Sequence, residues 1–305
     1  MSQLAPLLQR LRAKHPRSQS GADSGVPGVT LFWMDQEAPR APLLYDSGVL
    51  ILAQGSKDGF LGDRHFHYDA HTCMVFGVPV AFECATHATP QEPLLGLRLD
   101  VDPRRLHTLV ARLDPAPPER PGLHSGVASL PMDQALLDTT ERLLRTLDDP
   151  LDREILGPAA ADELLYRVLR SPAGHVLAAL TREHAPYARI ASALEHIHRD
   201  YAEPVAVDQL AQLCGMSVSS FHRAFKQVTS DSPLQYVKKL RLLKAKSLLV
   251  FEQERVEQAA FAVGYASASQ FSREFKRYFK VPPSQAQTLP YADPAPTSAH
   301  PPPLA

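Results

Sequence analysis

One ten-residue pattern occurs twice in this 305-residue chain and constrains its fold more than any other feature. The pattern Ser-x-Ser-x-Phe-x-Arg-x-Phe-Lys runs over 217–226 and again over 267–276. In each copy the two phenylalanines lie four residues apart and share one face of a helix, whereas the arginine between them projects from the opposite side. The repeat therefore predicts two similar helices, at about 217–228 and 267–278, each with one buried face and one free face.

A short run with apolar residues at helical spacing precedes each copy and ends at Gly215 in the first and at Gly264 in the second. Glycine adopts the left-handed conformation that a tight helix exit needs, and the serine that opens each copy is a good N-cap. Residues 207–228 and 255–278 are thus predicted to be helix-turn-helix units, the second with a turn one residue longer. By spacing, the core of the two units is expected to contain Leu210, Ala211, Leu213, Cys214, Phe221, Phe225, Ala260, Phe261, Phe271 and Phe275.

A single long helix is predicted between the two units. Ser232 and Pro233 suit an N-cap and a first helical residue, and no further proline or glycine interrupts 234–250. Such a helix spans about 25 Å, enough to set two recognition helices about one DNA turn apart once their own widths are added. Residues 186–287 hold fourteen Lys or Arg against nine Asp or Glu, although the whole chain carries a net charge of −1. The basic segment indicates a double-stranded DNA partner. The alternatives are a helical protein-binding module and a solenoid, and solenoids usually have three or more repeats.

Two further motifs flank the second recognition helix, Ala-Val-Gly-Tyr at 262–265 and Phe-Lys-x-Tyr-Phe-x-Val-Pro-Pro at 275–283. With them, residues 186–287 resemble the DNA-binding domain of the AraC/XylS family of bacterial transcription regulators. The resemblance implies a cytoplasmic regulator that activates or represses a promoter, and that contacts RNA polymerase if it is an activator. Ser230 and Lys280 depart from the family pattern, which commonly has glycine at both positions.

The outward residues of the two recognition helices are the candidate DNA contacts. Arg223 and Arg273 suit bidentate pairing with guanine and Gln270 suits adenine, while a phosphate contact or an intramolecular salt bridge is the alternative for each arginine. The residues expected in the grooves are Ser219, His222, Arg223, Ala268, Ser269, Gln270, Ser272 and Arg273, and those expected at phosphates are Lys226, Lys276 and Lys280. Positions that differ between the copies should read different half-sites: Val218, Ser220, His222 and Ala224 against Ala268, Gln270, Ser272 and Glu274.

Residues 25–182 have a different hydrophobic pattern. Short apolar or alternating runs at 29–33, 48–53, 64–68, 72–76, 80–86 and 94–99 predict the strands of a small barrel or sandwich. The pattern then becomes helical over 104–113, 133–147, 152–169 and 173–183. The expected fold class is α+β: a barrel with following helices, then an all-α DNA-binding domain. Residues 1–24 are expected to be an N-terminal tail, and the Pro- and Ala-rich residues 288–305 a disordered one.

Motifs such as Leu52-Ala53-Gln54-Gly55, Tyr68-Asp69 and Leu99-Asp100-Val101-Asp102-Pro103 make this half similar to the AraC-type amino-terminal domain, a cupin-like barrel. The resemblance implies a small-molecule effector, not identified by the sequence, and a homodimer. Helix 133–147 is the candidate dimer helix, with one side formed by Leu136, Leu137, Thr140, Leu143, Leu144 and Leu147. Packing of this side on its own barrel explains the pattern equally well.

His65 and His67 have the His-x-His spacing by which cupin enzymes hold a metal. Asp69 lies too close along the chain to complete such a site, and His87 is a loose third candidate. Alternating histidines on an exposed strand, or lining an organic ligand, fit as well. We therefore expect no metal, no cofactor and no catalytic residues. The rival interpretation is a cupin-like metalloenzyme, or a metal or redox sensor, that carries a DNA-binding tail.

The three cysteines do not suggest a disulfide framework, and nothing basic in sequence flanks Cys73 or Cys84 to lower a thiol pKa. No run of eighteen apolar residues occurs, and residues 1–17 do not have the pattern of a signal peptide. These features predict a cytoplasmic protein with no membrane partner.

Overall fold

Two antiparallel sheets form the N-terminal half of the computed structural model, which describes residues 3–15, 20–113, 125–182 and 185–289. The strands are β1 Gly21–Asp23, β2 Val29–Met34, β3 Ala38–Tyr45, β4 Gly48–Gln54, β5 Ser56–Leu61, β6 Arg64–Tyr68, β7 Thr72–Phe76, β8 Val80–His87, β9 Leu94–Asp100 and β10 Val127–Pro131. Six strands pair in the order β1-β2-β9-β4-β7-β10, and the other four in the order β3-β8-β5-β6. All six predicted strands are present, and β1, β3, β5 and β10 are additional.

The six-stranded sheet is buried on both faces. Phe32, Leu50 and Leu52 point into the barrel interior, where they meet the four-stranded sheet. Leu31 and Ile51, on the opposite face, pack against helices. A strand covered on both sides has no polar face, which is why β2 and β4 read as continuous apolar runs rather than alternating ones.

Helices cover the outer face of the six-stranded sheet. They are α1 Leu4–Ala13, α2 Pro103–Val110, α3 Gln134–Thr146, α4 Pro150–Ile155, α5 Gly157–Arg170 and α6 Gly174–Ala178, followed by a 3-10 turn at Ala179–Thr181. Asp102, Asp133 and Asp149 cap the starts of α2, α3 and α4 with their carboxylates. The helix predicted over 152–169 is broken at Leu156, because Pro158 starts α5 in its first turn and has no N–H to continue a helix.

Residues 4–13, interpreted from sequence as part of a tail, instead form α1. Leu4, Leu7, Leu8 and Leu11 of α1 are buried in the same core as α3 and the six-stranded sheet. Their spacing of three and four residues places all four on one helix face. This segment therefore belongs to the N-terminal domain.

The C-terminal half is helical: α7 Pro186–Arg199, α8 Val207–Leu213, α9 Val218–Thr229, α10 Pro233–Val250, α11 Val256–Ala262 and α12 Ala268–Phe279, with a 3-10 segment at Pro283–Thr288. The helix-turn-helix pairs are α8 with α9 and α11 with α12, and α10 is the predicted connecting helix. The second turn is one residue longer than the first, as expected. Gly215 and Gly264 have φ values of 59° and 86°, which confirms the left-handed turns.

The two halves pack directly against each other. One continuous core runs from the barrel interior through α7 into the first helix-turn-helix unit. The Tyr236 hydroxyl donates to the Pro79 carbonyl oxygen at 2.8 Å, and the Gly126 N–H donates to the Val228 carbonyl oxygen at 3.0 Å. Ala81, on the outer face of β8, is buried among residues of α10 and of the second unit.

Within the described ranges, no helix combines the length and the apolar character needed to cross a membrane. The expected C-terminal tail lies, from residue 290 onward, outside the described residues.

Candidate nucleic-acid interface

Each recognition helix is held by a serine cap at one end and by a phenylalanine pair on its inner face. The Ser217 hydroxyl accepts from the Ser220 N–H at 3.3 Å, and the Ser267 hydroxyl accepts from the Gln270 N–H at 3.4 Å. Phe221 and Phe225 of α9 are fully buried, as are Phe271 and Phe275 of α12. The repeated pattern therefore builds the same scaffold twice.

The predicted contact residues lie on the free faces of these helices. Their exposed members are Ser219, Arg223, Lys226, Ser269, Gln270, Arg273, Lys276 and Lys280, and the partly buried ones are His222, Ala268 and Ser272. Neither Arg223 nor Arg273 pairs with a carboxylate among the described residues, whereas Lys238 and Lys239 do. The intramolecular salt bridge named as an alternative for each arginine is therefore not observed within the described part of the chain.

Two of the positions expected to distinguish the half-sites are structural. Ala224 is buried. Glu274 accepts from the Tyr265 hydroxyl at 2.9 Å and pairs with Lys238 of α10, also at 2.9 Å. Burial raises the pKa of Glu274, but the bonds from Lys238 and Tyr265 outweigh it and leave the pKa below its usual value. Glu274 therefore fixes α12 on the connecting helix and is not directed outward.

Two residues assigned to the core by spacing are instead exposed: Leu213 is 56% exposed and Phe261 is 51% exposed. The buried residues here are Leu210 and Ala211 of α8 and Cys214 directly after it, so Leu213 lies away from the buried side. Phe261, near the end of α11, likewise lies away from the side formed by the buried residues Ala259, Ala260 and Val263. The other predicted core residues of the two units are buried.

The recognition helices end without the family's glycines. Ser230 and Lys280 have φ values of 66° and 68°, so each adopts the left-handed conformation at its helix end. This conformation costs a residue with a side chain more than it costs glycine. Both recognition helices therefore end in the left-handed conformation although neither position is a glycine.

Arg241 of α10, which sequence analysis did not single out, ties the two units together. Its guanidinium donates to the carbonyl oxygens of Tyr201 at 2.7 Å, Glu203 at 2.8 Å and Gly264 at 3.1 Å. The first two lie in the segment between α7 and α8, and the third lies in the turn of the second unit. A planar guanidinium group with five N–H donors can bond several carbonyl oxygens at once. These bonds fix the turn of the second unit relative to the segment that precedes the first unit.

The barrel interior contains a buried cation that the sequence patterns also missed. Lys57 of β5 is 1% exposed, and its ammonium donates to the Tyr45 hydroxyl at 3.1 Å. The same ammonium lies 5.7 Å from the centre of the Phe32 ring. Lys57 faces inward because β5, which was not predicted, alternates between buried and half-buried residues.

The cysteines are buried and lie in separate cores. Cys73 packs among the residues under the helices, and Cys84 lies in the barrel interior, 3.2 Å from the Tyr68 hydroxyl. Burial raises the pKa of Cys73 to about 12 and, despite nearby Arg189, that of Cys214 to about 11. The arrangement does not make Cys73 and Cys84 a redox pair, because they belong to different cores and no disulfide occurs among the described residues.

The candidate dimer helix packs within its own domain. Leu136, Leu143 and Leu144 of α3 are buried in the core shared with α1 and α5. The intramolecular explanation of its apolar side is therefore the correct one. Exposed apolar residues are found next to it instead, with Leu151 67% and Ile155 64% exposed on α4 and Leu156 following them.

His65 and His67 lie on the outer face of the four-stranded sheet and not in the barrel interior, because their neighbours Phe66 and Tyr68 occupy the inward positions. A metal site inside the barrel, as in cupin enzymes, therefore cannot use this pair.

A barrel followed by two linked helix-turn-helix units defines the class of protein: a DNA-binding module joined to a cupin-like domain. Residues 25–176 match the family model described as the AraC-type transcriptional regulator N-terminus, and residues 210–288 match a helix-turn-helix domain model. The chain belongs to the AraC/XylS family of transcription regulators.

Curated relatives match part of the chain. The HTH-type transcriptional regulator AlkR of Acinetobacter baylyi is 38% identical over 94 residues, 31% of each chain. The HTH-type transcriptional activator RhaS of Escherichia fergusonii is 29% identical over 154 residues, 50% of this chain and 55% of RhaS. The chain thus spans between about a third and about half of these relatives' length.

Solved structures share the whole architecture. Apo ToxT from Vibrio cholerae, a point variant, has a TM-score of 0.59 at 10% identity, covering 89% of this chain and 99% of ToxT. ToxT bound to an unsaturated fatty acid has a TM-score of 0.57 at 12% identity, covering 89% and 96%. At this identity the likeness establishes the fold alone.

Proposed function

We propose that the protein is a sequence-specific transcription regulator that binds double-stranded promoter DNA through α9 and α12. The observation that carries the proposal is the pair of matched recognition helices, each with basic residues on its free face that form no salt bridge with the described residues. Arg223 and Arg273 are the candidates for base contacts, and Lys226, Lys276 and Lys280 for phosphates. The excess of positive charge over 186–287 supports an anionic partner.

The two helices are proposed to enter adjacent major grooves. Helix α10 has 18 residues and so measures about 27 Å, close to the roughly 34 Å of one DNA turn once the widths of α9 and α12 are included. Arg241 holds the two units in a fixed relation. Since the free faces differ in sequence, the two half-sites should differ as well.

The N-terminal barrel is proposed to sense a small molecule. Its interior joins an apolar wall to the Lys57 ammonium and the Tyr45 hydroxyl, a combination that suits an amphipathic molecule with an anionic group. ToxT, which shares the fold, has been solved with an unsaturated fatty acid and with a substituted butenoic acid. A carboxylic acid is accordingly the first effector class to test.

A homodimer is part of the proposal, with the exposed apolar residues of α4 and the residue that follows it as its contact surface. Leu151, Ile155 and Leu156 form the group. If the protein activates transcription, RNA polymerase is a further partner. Binding to a bacterial promoter would take place in the cytoplasm. Ligand binding would then change the relative position of the two halves of the chain, or of two subunits. That change would decide which DNA half-sites can be bound at the same time.

Selection of bound fragments from genomic DNA, followed by footprinting, tests the function. We expect enrichment of a bipartite site and a footprint over two adjacent major grooves on one face of the DNA. The variant that replaces both Arg223 and Arg273 by alanine should lose the footprint, whereas Arg104→Ala, at an exposed position of α2 in the N-terminal half, should keep it. Equal binding to selected and random DNA would contradict the proposal.

A further inference from the structure

The second recognition helix carries a carboxylate with three hydrogen-bonding partners. Glu274 Oε1 lies 2.9 Å from the Lys238 ammonium of α10, and Glu274 Oε2 accepts from the Tyr265 hydroxyl at 2.9 Å. The third partner is the side chain of Gln270, one turn earlier on α12, which donates to the same carboxylate. The Glu274 side chain is 19% exposed, whereas Gln270 is exposed on the free face of the helix. The carboxylate therefore links α10 to a residue that can reach a base.

Lys238 and Tyr265 hold this carboxylate in place. Tyr265 is buried, and its ring packs edge-on against Phe271 with 5.3 Å between ring centres. Lys238 belongs to α10, which packs against both helix-turn-helix units. The position of the Glu274 carboxylate is thus set by two residues outside α12.

A fixed carboxylate decides which way the Gln270 amide points. An ionised carboxylate accepts hydrogen bonds and donates none, so only the NH₂ end of the amide can contact it. A glutamine without such a neighbour can turn its amide over and exchange the donor end for the acceptor end. In this helix Glu274 engages one N–H of Gln270, and the other N–H and the carbonyl oxygen remain for an external partner.

One donor and one acceptor match adenine and not guanine. In the major groove adenine presents the N7 acceptor beside the N6 amino donor, whereas guanine presents two acceptors, N7 and O6. A freely rotating glutamine can direct N–H groups at both guanine acceptors. Gln270 cannot, because Glu274 occupies one N–H and the carbonyl oxygen would face O6. The arrangement therefore combines a favourable contact with adenine and a penalty against guanine.

We propose that Glu274 is a positioning residue for base recognition. It orients Gln270 to read one adenine in the second half-site and to reject guanine at that position. The inference rests on the proposed function, because it requires α12 to enter a major groove. It adds the identity of one base and a largely covered residue that sets the preference for this base through Gln270.

The first unit differs at both positions. Ser220 stands where the second unit has Gln270, and its hydroxyl accepts from the Ser217 hydroxyl at 3.0 Å. The buried Ala224 stands where the second unit has Glu274. An alanine side chain has no polar atom that could orient a neighbour. The second half-site is therefore expected to be read with sharper discrimination between the two purines than the first.

Gel-shift titrations of the full chain on the selected DNA site test the inference. Each A·T pair of the second half-site is replaced in turn by G·C, and Gln270→Ala identifies the position that Gln270 reads, because this variant loses the adenine preference there. We expect wild type to prefer adenine at this position by about tenfold or more. Glu274→Gln retains the side-chain size but can present a donor or an acceptor to Gln270. It should reduce the adenine preference by about fivefold or more.

Lys238→Met separates the orientation of Gln270 from the anchoring of α12. This variant removes an anchor but keeps the carboxylate that accepts from Gln270, so it should weaken binding to all sites alike and retain the adenine preference. The double variant Gln270→Ala with Glu274→Gln should show the same preference as Gln270→Ala alone, because Glu274 acts through Gln270. Thermal unfolding shows whether each variant folds, and Glu274→Ala provides a second test if Glu274→Gln does not.

A wild-type adenine preference in folded Glu274→Gln would overturn the inference. So would a preference that Lys238→Met lowers as much as Glu274→Gln does, since Glu274 would then only anchor the helix. Selective binding by wild type without any adenine preference that depends on Gln270 would overturn it as well. Equal binding of wild type to selected and random DNA is a separate result, which would contradict the proposed function itself and this inference with it.

Discussion

The Tyr236 hydroxyl donates a hydrogen bond to the carbonyl oxygen of Pro79 and thereby joins the connecting helix of the DNA-binding module to the loop between β7 and β8. His198 Nε2 lies 2.7 Å from the same hydroxyl. Since a phenol has a single proton, and Tyr236 gives it to Pro79, His198 must be the donor to Tyr236. One buried chain of hydrogen bonds thus crosses from α7 through α10 to the barrel.

Tyr236→Phe should destabilise the protein by about 1–3 kcal/mol, because the His198 N–H and the Pro79 carbonyl both lose their partner while the ring packing is retained. Urea unfolding measures the change. Tyr166→Phe, on the exposed side of α5, is the matched control and should have little effect. An equal, small change in both variants would show that the hydroxyl of Tyr236 does not hold the two halves together.

The pH dependence of stability should report on His198. Burial, with Lys244 nearby and against the attraction of Asp46, lowers the pKa of His198 from 6.5 to about 4. Between these two values the unfolded chain binds the proton first, so the contribution of His198 is present above about pH 6.5 and is lost as the pH falls toward 4.

The difference in unfolding free energy between wild type and His198→Gln should therefore shrink by about 2 kcal/mol from pH 6.5 to pH 5. Urea melts at both pH values, performed on both proteins, give this difference and cancel the titration of the other histidines. Parallel pH profiles would contradict a buried neutral His198.

The two turn glycines should respond very differently to alanine. A Cβ atom on Gly264 would lie 2.0 Å from the Ala202 carbonyl oxygen, whereas one on Gly215 would meet nothing closer than Arg189 Nη1 at 3.4 Å. Both residues have positive φ, which costs alanine about 1 kcal/mol. Gly264→Ala must in addition displace backbone and should cost about 3 kcal/mol or more. Thermal unfolding of the two variants provides the comparison, and similar melting temperatures would show that the segment around Ala202 yields easily.

How far the sequence predicts this molecule depends on whether a feature is local. The caps, turns and phenylalanine pairs of the recognition helices are encoded within about ten residues, and they were predicted. Strand β5 was not predicted, because the sequence Lys57-Asp58-Gly59 is typical of a loop. It forms a strand through its pairing with β6 and β8, which the local sequence does not show. The inward Lys57 was therefore missed. So was the meeting of Asp58 with His87, 29 residues away, which only the pairing of strands brings about.

The exposed position of Leu213 and the burial of Lys246 show a second limit. Both lie in helices predicted correctly, but the direction of each side chain depends on which neighbouring helix covers it. Helix α10 is contacted by both helix-turn-helix units and by the barrel, so buried residues occur around much of its circumference. A single apolar stripe, the pattern on which sequence reasoning depends, does not exist there.

Arg273→Ala should distinguish base contacts from phosphate contacts. If Arg273 pairs with guanine, the variant loses about 1–3 kcal/mol on the selected site and discriminates less well between bases at one position. Lys226→Ala, the matched change of a phosphate candidate, should weaken binding to all sequences alike and reduce the salt dependence by about one counterion. Gel-shift titrations on selected and random DNA, each at two salt concentrations, separate the two effects. Equal losses for Arg273→Ala on both DNAs would assign Arg273 to the phosphate backbone, and the reading of the second half-site would then rest on Gln270 and its neighbours in α12.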